Sequence, residues 1–169
     1  QNKYEKLSDT IIPKYLEINN IYKINKKLTH LIITTGPGSY TALRVGASFI
    51  AGLSQSLDLP LSTVSTENIF EFLNKEILAK GLYLESSKNQ RFLLFKKGEN
   101  FFHQKIECKN FMIPKHINNL FYNIESFESR NDLNCRFFSI VKVITENLNN
   151  LEFKKNLIIK PIYISNNSI

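Results

Sequence analysis

From Tyr4 to Tyr22 apolar side chains recur at steps of three and four, at Tyr4, Leu7, Ile11, Tyr15, Ile18 and Tyr22, which is the period of an α-helix. Ile12 and Leu16 add a second column beside the first, able to face a sheet, so the apolar arc is wider than one core contact requires. Pro13 predicts a bend within it. His30 to Thr35 is a short, β-branched run broken by Gly36-Pro37-Gly38-Ser39, the pattern of a buried strand that enters a tight loop. Ser39 suits the N-cap of a helix over 40–57. There Leu43, Ala47, Ile50, Ser54 and Leu57 share one face and Val45, Phe49 and Gly52 another, as in a helix buried on nearly all sides.

Pro60 ends that unit, and Leu61 to Val64 predicts a second strand. Ser65 or Thr66 caps a helix that runs through Ile69, Phe70, Leu73 and Ile77 to a stop at Gly81. Strand, helix, strand, helix in this order implies parallel pairing with helical crossovers. The period then shortens to two: 82–86, 91–96 and 101–106 read as strands, with Lys97-Gly98-Glu99-Asn100 as a hairpin turn. Between Cys108 and Arg136 apolar and polar residues mix without a period, and no element is predicted. Helical spacing returns from Ser139 to Leu151, and 159–164 reads as a closing strand. The change of character near Gly81 divides the chain into a first lobe, 1–81, with a helical docking surface, and a second lobe, 82–169.

Composition narrows the chemistry. The chain has 169 residues, and 22 Lys and Arg against 15 Asp and Glu give a net charge of +7. The excess is mostly lysine in scattered pairs (Lys26-Lys27, Lys96-Lys97, Lys154-Lys155) and not an arginine-rich stripe, so solvated surface is expected before a dedicated nucleic-acid face. Cys108 and Cys135 lack the spacing of a zinc or redox pair. With no apolar run of membrane length, a soluble, cytoplasmic protein without membrane contact is expected.

The strongest local pattern is Thr34-Thr35-Gly36-Pro37-Gly38-Ser39-Tyr40-Thr41-Ala42-Leu43-Arg44, a glycine-rich joint between strand and helix. A helix start with free N–H groups favours an anion, yet the loop lacks the Lys-Ser/Thr ending of a phosphate loop and the order of a dinucleotide fingerprint. Close packing at Gly36 and Gly38 is the plainer explanation. His30, His103 and His116 are far apart in sequence, and no serine or cysteine sits in a nucleophile motif. Neither a catalytic residue nor a metal ligand is therefore expected.

Residues Gly36, Pro37, Gly38, Ser39, Tyr40, Thr41, Ala42, Leu43 and Arg44 closely resemble the G-P-G-S-[FY]-T-[GA]-L-R signature of the TsaB (YeaZ) family. Ser8 to Leu16 is similar to that family's first long helix with its internal proline. Leu59-Pro60-Leu61 to Ser65-Thr66-Glu67 and Lys160-Pro161-Ile162-Tyr163-Ile164 resemble two further family segments. The resemblance implies an α/β, actin-like or hexokinase-like ATPase (ASKHA) fold of two small lobes with mixed sheets. The family's usual first strand and hairpin have no counterpart in this sequence.

It also implies a non-catalytic accessory subunit that docks on a catalytic TsaD-type paralogue, for threonylcarbamoyl modification of the adenosine beside the tRNA anticodon. That paralogue holds a metal through an H-x-x-x-H pair absent here. Docking is expected through the first two helices, at Tyr4, Leu7, Ile11, Tyr15, Ala47, Ile50 and Ser54. A TsaE-type ATPase and, through the complex, tRNA complete the expected partners, with a homodimer when the paralogue is missing. No cofactor is expected on this chain alone; ATP or ADP would sit at the interface with the partner. The alternatives are a catalytically competent member of the same superfamily and a basic tRNA-binding module.

Overall fold

The computed structural model describes residues 6–73, 77, 80–87, 90–106, 112–124 and 132–164. The first helix, α1, spans Leu7–Tyr22 with Pro13 inside it. Strand β1 (Leu31–Thr34) follows, then α2 (Tyr40–Ser56), β2 (Leu61–Val64) and α3 (Thr66–Phe72). β1 and β2 pair in parallel, Leu31 opposite Leu61 and Thr34 opposite Val64, as the helical crossover between them requires. Ser39 caps α2 by accepting from the Ala42 amide at 3.1 Å. Ser65 and Asn68 form a reciprocal capping box at the start of α3.

α3 stops at Phe72 and does not run on to Gly81. Leu73 is already extended, at φ −70° and ψ 97°, and its carbonyl accepts from the Lys80 ammonium at 2.8 Å. That cation, set over the Phe70 ring at 4.7 Å, satisfies a group that would otherwise continue the helix.

The second sheet runs in the order β5-β4-β3-β6-β7, from β3 (Lys80–Ser87), β4 (Gln90–Lys97), β5 (Asn100–Ile106), β6 (Asn119–Tyr122) and β7 (Asn134–Phe137). β3, β4 and β5 form the expected antiparallel meander. β6 and β7 add in parallel, β6 inside the stretch where no element was expected and β7 at its end, reaching one residue beyond it. Alternation splits the core between two faces. Leu82, Leu84, Leu94 and Phe121 join Ile69, Phe70 and Leu73 of the α3 region and Val143 of α4 (Ile140–Glu146). Tyr83, Leu93, Ile106 and Leu120 form a separate cluster on the opposite side.

α4 is shorter than the 139–151 periodicity predicts: the Asn147 side chain donates to the Val143 carbonyl at 2.9 Å, and a 3-10 turn at Leu148–Asn150 replaces further α-helix. The closing strand over 159–164 does not form. Pro161 has no N–H to give a ladder, and among the described residues this segment's backbone bond is that from the Ile162 amide to the Thr35 carbonyl at 2.7 Å.

The segment after α4 nonetheless returns to the first sheet. Leu61 and Lys154 exchange both backbone hydrogen bonds at 3.0 Å, the Lys155 ammonium meets Asp58 at 2.6 Å, and Phe153 packs on His30. α3, from within 1–81, packs in turn on β4 and α4. Among the described residues no helix is long and apolar enough to cross a membrane.

Candidate docking face and motif loop

α1 lies against α2, and the stripe that makes the contact is narrow. Ile11 and Tyr15, one turn apart, are half-buried, with the Tyr15 ring edge-on to Phe49 at 5.3 Å and its hydroxyl on the Asn25 side chain. Ile12 and Leu16 do not face the sheet: they are 54% and 52% exposed. A step of 100° per residue puts them on one flank of the Ile11–Tyr15 stripe and Leu7, Ile18 and Ile21 on the other. Leu7, Ile18, Ile21 and Tyr22 are also exposed.

The remaining expected docking residues divide. Ala47 and Ile50 are half-buried on α2. Ser54 is buried, and its hydroxyl donates to the Leu59 carbonyl at 2.6 Å, so its place is in the turn after α2 and not on an exposed face. Tyr4 lies outside the described residues. α2 is not buried on nearly all sides either, since Thr41, Arg44, Ser48, Gly52 and Gln55 line an exposed edge. Ile12, Leu16 and Ile21 are the surface residues that the column reading misplaced or left out. Two columns do not reveal which faces inward until the neighbouring helix is placed.

In the motif loop each small residue has a local reason. Gly36 takes φ +132°, and a Cβ there would lie 2.7 Å from the Ile162 carbonyl oxygen, so the left-handed backbone and the close approach both require glycine. Its own carbonyl accepts from the Thr66 hydroxyl, and the Gly36–Pro37 peptide is cis. Gly38 packs on Leu43. A cavity of about 330 Å³ between the starts of α1 and α2 is lined by Lys6, Leu7, Ser8, Ser39, Thr41 and Ala42.

Tyr40 and Arg44, one turn apart, stand in solvent with Tyr163. The Arg44 guanidinium lies 4.0 Å over the Tyr40 ring, its Nε donates to the Tyr163 hydroxyl at 3.4 Å, and the two tyrosine rings are 4.7 Å apart, tilted by 39°. The hydrogen bond to Tyr163, foremost, raises the Arg44 pKa.

A second polar pair was not foreseen. Glu67, in the first turn of α3, accepts from His103 Nε2 of β5 at 2.6 Å. This bond holds its carboxyl well below the usual range, at about 2. No motif signals the pair, because its members come from separate elements, 36 residues apart. No group of three or more metal-ligating side chains occurs among the described residues.

Residues 4–72 match the family model described as TsaD: tRNA N6-adenosine threonylcarbamoyltransferase. The tRNA threonylcarbamoyladenosine biosynthesis protein TsaB of Bacillus subtilis is 37% identical over 49 residues, which is 29% of this chain and 21% of that protein. The chain thus aligns with about a fifth of that relative. Among solved structures, YeaZ from Pseudomonas aeruginosa superposes with a TM-score of 0.55 at 11% identity, covering 93% of this chain and 84% of that one. A Pseudomonas aeruginosa protein described as similar to peptidase YeaZ gives 0.52 at 12%, covering 91% and 82%. The fold is the α/β, actin-like one of these structures.

Proposed function

We propose that this chain, which these matches support assigning to the TsaB/YeaZ family, takes part in making threonylcarbamoyladenosine in tRNA as a non-catalytic subunit of a cytoplasmic complex. Its role is to dock a catalytic TsaD-type paralogue. The observation that carries this reading is the set of large apolar side chains that α1 leaves in water: Leu7, Ile12, Leu16, Ile18, Ile21 and Tyr22, all 39% exposed or more. One sixteen-residue helix that spends a narrow stripe on its own fold and exposes apolar flanks on both sides has the composition of an interface core.

A paralogue of like fold offers its own helix pair, and four helices packed at shallow angles bury both flanks. The same surface can pair with a second copy when the paralogue is missing. ATP or ADP, a TsaE-type ATPase and the tRNA belong to the assembled complex in this reading, and the isolated chain turns over no ATP.

Titration of Ile12→Glu and Leu16→Glu with the purified paralogue tests the reading. Both positions are exposed, so the variants are expected to melt like the parent protein. A charge at the centre of the interface is expected to weaken binding at least ten-fold through desolvation without a partner. Unchanged affinity in both variants moves the docking site elsewhere.

A further inference from the structure

The small residues of the glycine-rich motif are explained by the loop, but its two large ones are not. Gly36, Gly38 and Ser39 shape the turn, and Leu43 packs behind it. Tyr40 is 52% exposed and meets Tyr163, 44% exposed, across 123 positions of sequence. We propose that Tyr40, Arg44 and Tyr163 form a stacking platform for an unpaired RNA nucleotide, so that this chain touches the tRNA directly. The identity of the RNA rests on the function proposed above; the platform rests on its own geometry.

Two half-exposed aromatic rings beside a guanidinium plane make the kind of surface on which unstacked bases settle in single-stranded RNA recognition. Arg44 spends Nε on Tyr163 and its face on Tyr40. Its terminal amino groups remain for phosphate, which a guanidinium grips in two-pronged fashion. The site lies at the first turn of α2, where the Ala42 and Leu43 amides are taken by Ser39. The Tyr40 and Thr41 amides precede the first intrahelical bond and favour an anion. The helix dipole disfavours a cation in this turn, so an arginine here is held by its rings and suits a negatively charged ligand. The net charge of +7 speeds encounter with RNA without specifying the contact. A clasp whose only task was to fasten the tail would gain most by burying the rings, and these are half in water.

The test uses the full chain and two fluorescent probes, a short single-stranded RNA and an RNA duplex of equal length, followed by anisotropy at low and moderate salt. Tighter binding of the single strand is expected, with tyrosine fluorescence changing on binding. Arg44→Ala and Tyr163→Leu are expected to weaken single-strand binding roughly ten-fold or more, while Tyr163→Phe, which keeps the ring and loses the Arg44 bond, retains most of it. Equal affinity for the two probes overturns the proposal. So does unchanged RNA affinity in Arg44→Ala, whether or not its melting temperature falls, since a fall in melting alone marks a mere clasp. If the paralogue titration fails while RNA binding depends on the platform, the docking reading fails and this one stands. The converse result sinks this one alone.

Discussion

Glu67 gains its place from a partner in another strand, and its acid stability follows. A carboxyl whose folded pKa lies at about 2 against an ordinary 4.5 contributes stability that is fully present above the ordinary value and lost as the pH falls through the lower one. Glu67→Gln is therefore expected to cost about 1–2 kcal/mol near neutral pH, allowing for solvent screening of a side chain that is not fully buried. The gap between variant and parent should close between pH 4.5 and 2, as thermal melts across that range will read; a gap independent of pH would mean that the contact with His103 is not made. Gly36→Ala should be worse tolerated, by more than about 2 kcal/mol, because it combines a left-handed backbone with a Cβ against the Ile162 carbonyl; equal denaturation midpoints would refute this. Ser39 was legible as a cap, and Ser65 as one of two candidates with Thr66, because a cap needs only its own next three residues. Ser54, Ile12 and Glu67 were not, since the direction each faces is set by elements distant in sequence.

At the level of elements, α3 is seven residues long, too short to persist by helix propensity alone. It stands on its capping box, on the Lys80 ammonium at its other end and on buried Ile69 and Phe70. Removing the cap in Ser65→Ala should cost about 1 kcal/mol in urea titration, with the slope of the transition unchanged. β3, β4 and β5 could be read from the chain because period-two patterning and the Lys97–Asn100 turn agree. β6 and β7, four residues each, could not: Leu120 and Phe121 are both buried, which erases the alternation, and β7 is an edge strand mostly in water. The opposite error came at 159–164, where a β-like composition met a proline that cannot join a ladder. α1 shows a further limit, for a pattern counts apolar columns without saying which one the molecule keeps for itself.

For the whole molecule, unequal sheets imply unequal protection. β3 and β4 lie inside a five-stranded sheet covered on one face by α3 and α4, whereas β1 and β2 make a two-stranded one that joins the same core through Val64 and Ile32 and takes backbone bonds from Lys154 and Ile162. Hydrogen exchange should therefore be slowest at Leu82 and Leu93 to Leu94 and faster at Ile32 to Thr34. Equal protection in both sheets would show that the tail's few bonds couple them into one cooperative unit. The parallel β1-α2-β2 unit followed from the order of elements, and the actin-like fold from the resemblance carried by the motif that joins them. The tail's path was not legible, because isolated contacts at Lys154 and Ile162 leave no periodic trace.

That path reverses the order in which the molecule can be finished during synthesis. Domains usually complete themselves from the N-terminus as the chain emerges, but here the β1-α2-β2 unit takes backbone bonds from Lys154 and Ile162, whereas the five described strands of the second sheet are all made once Phe137 is. A chain cut short after α4 would carry a finished second sheet and a first one that keeps Val64 in the shared core but lacks those bonds. The bonds from Lys154 and Ile162 would then be missing from the β1-α2-β2 unit on which the exposed apolar helix α1 packs.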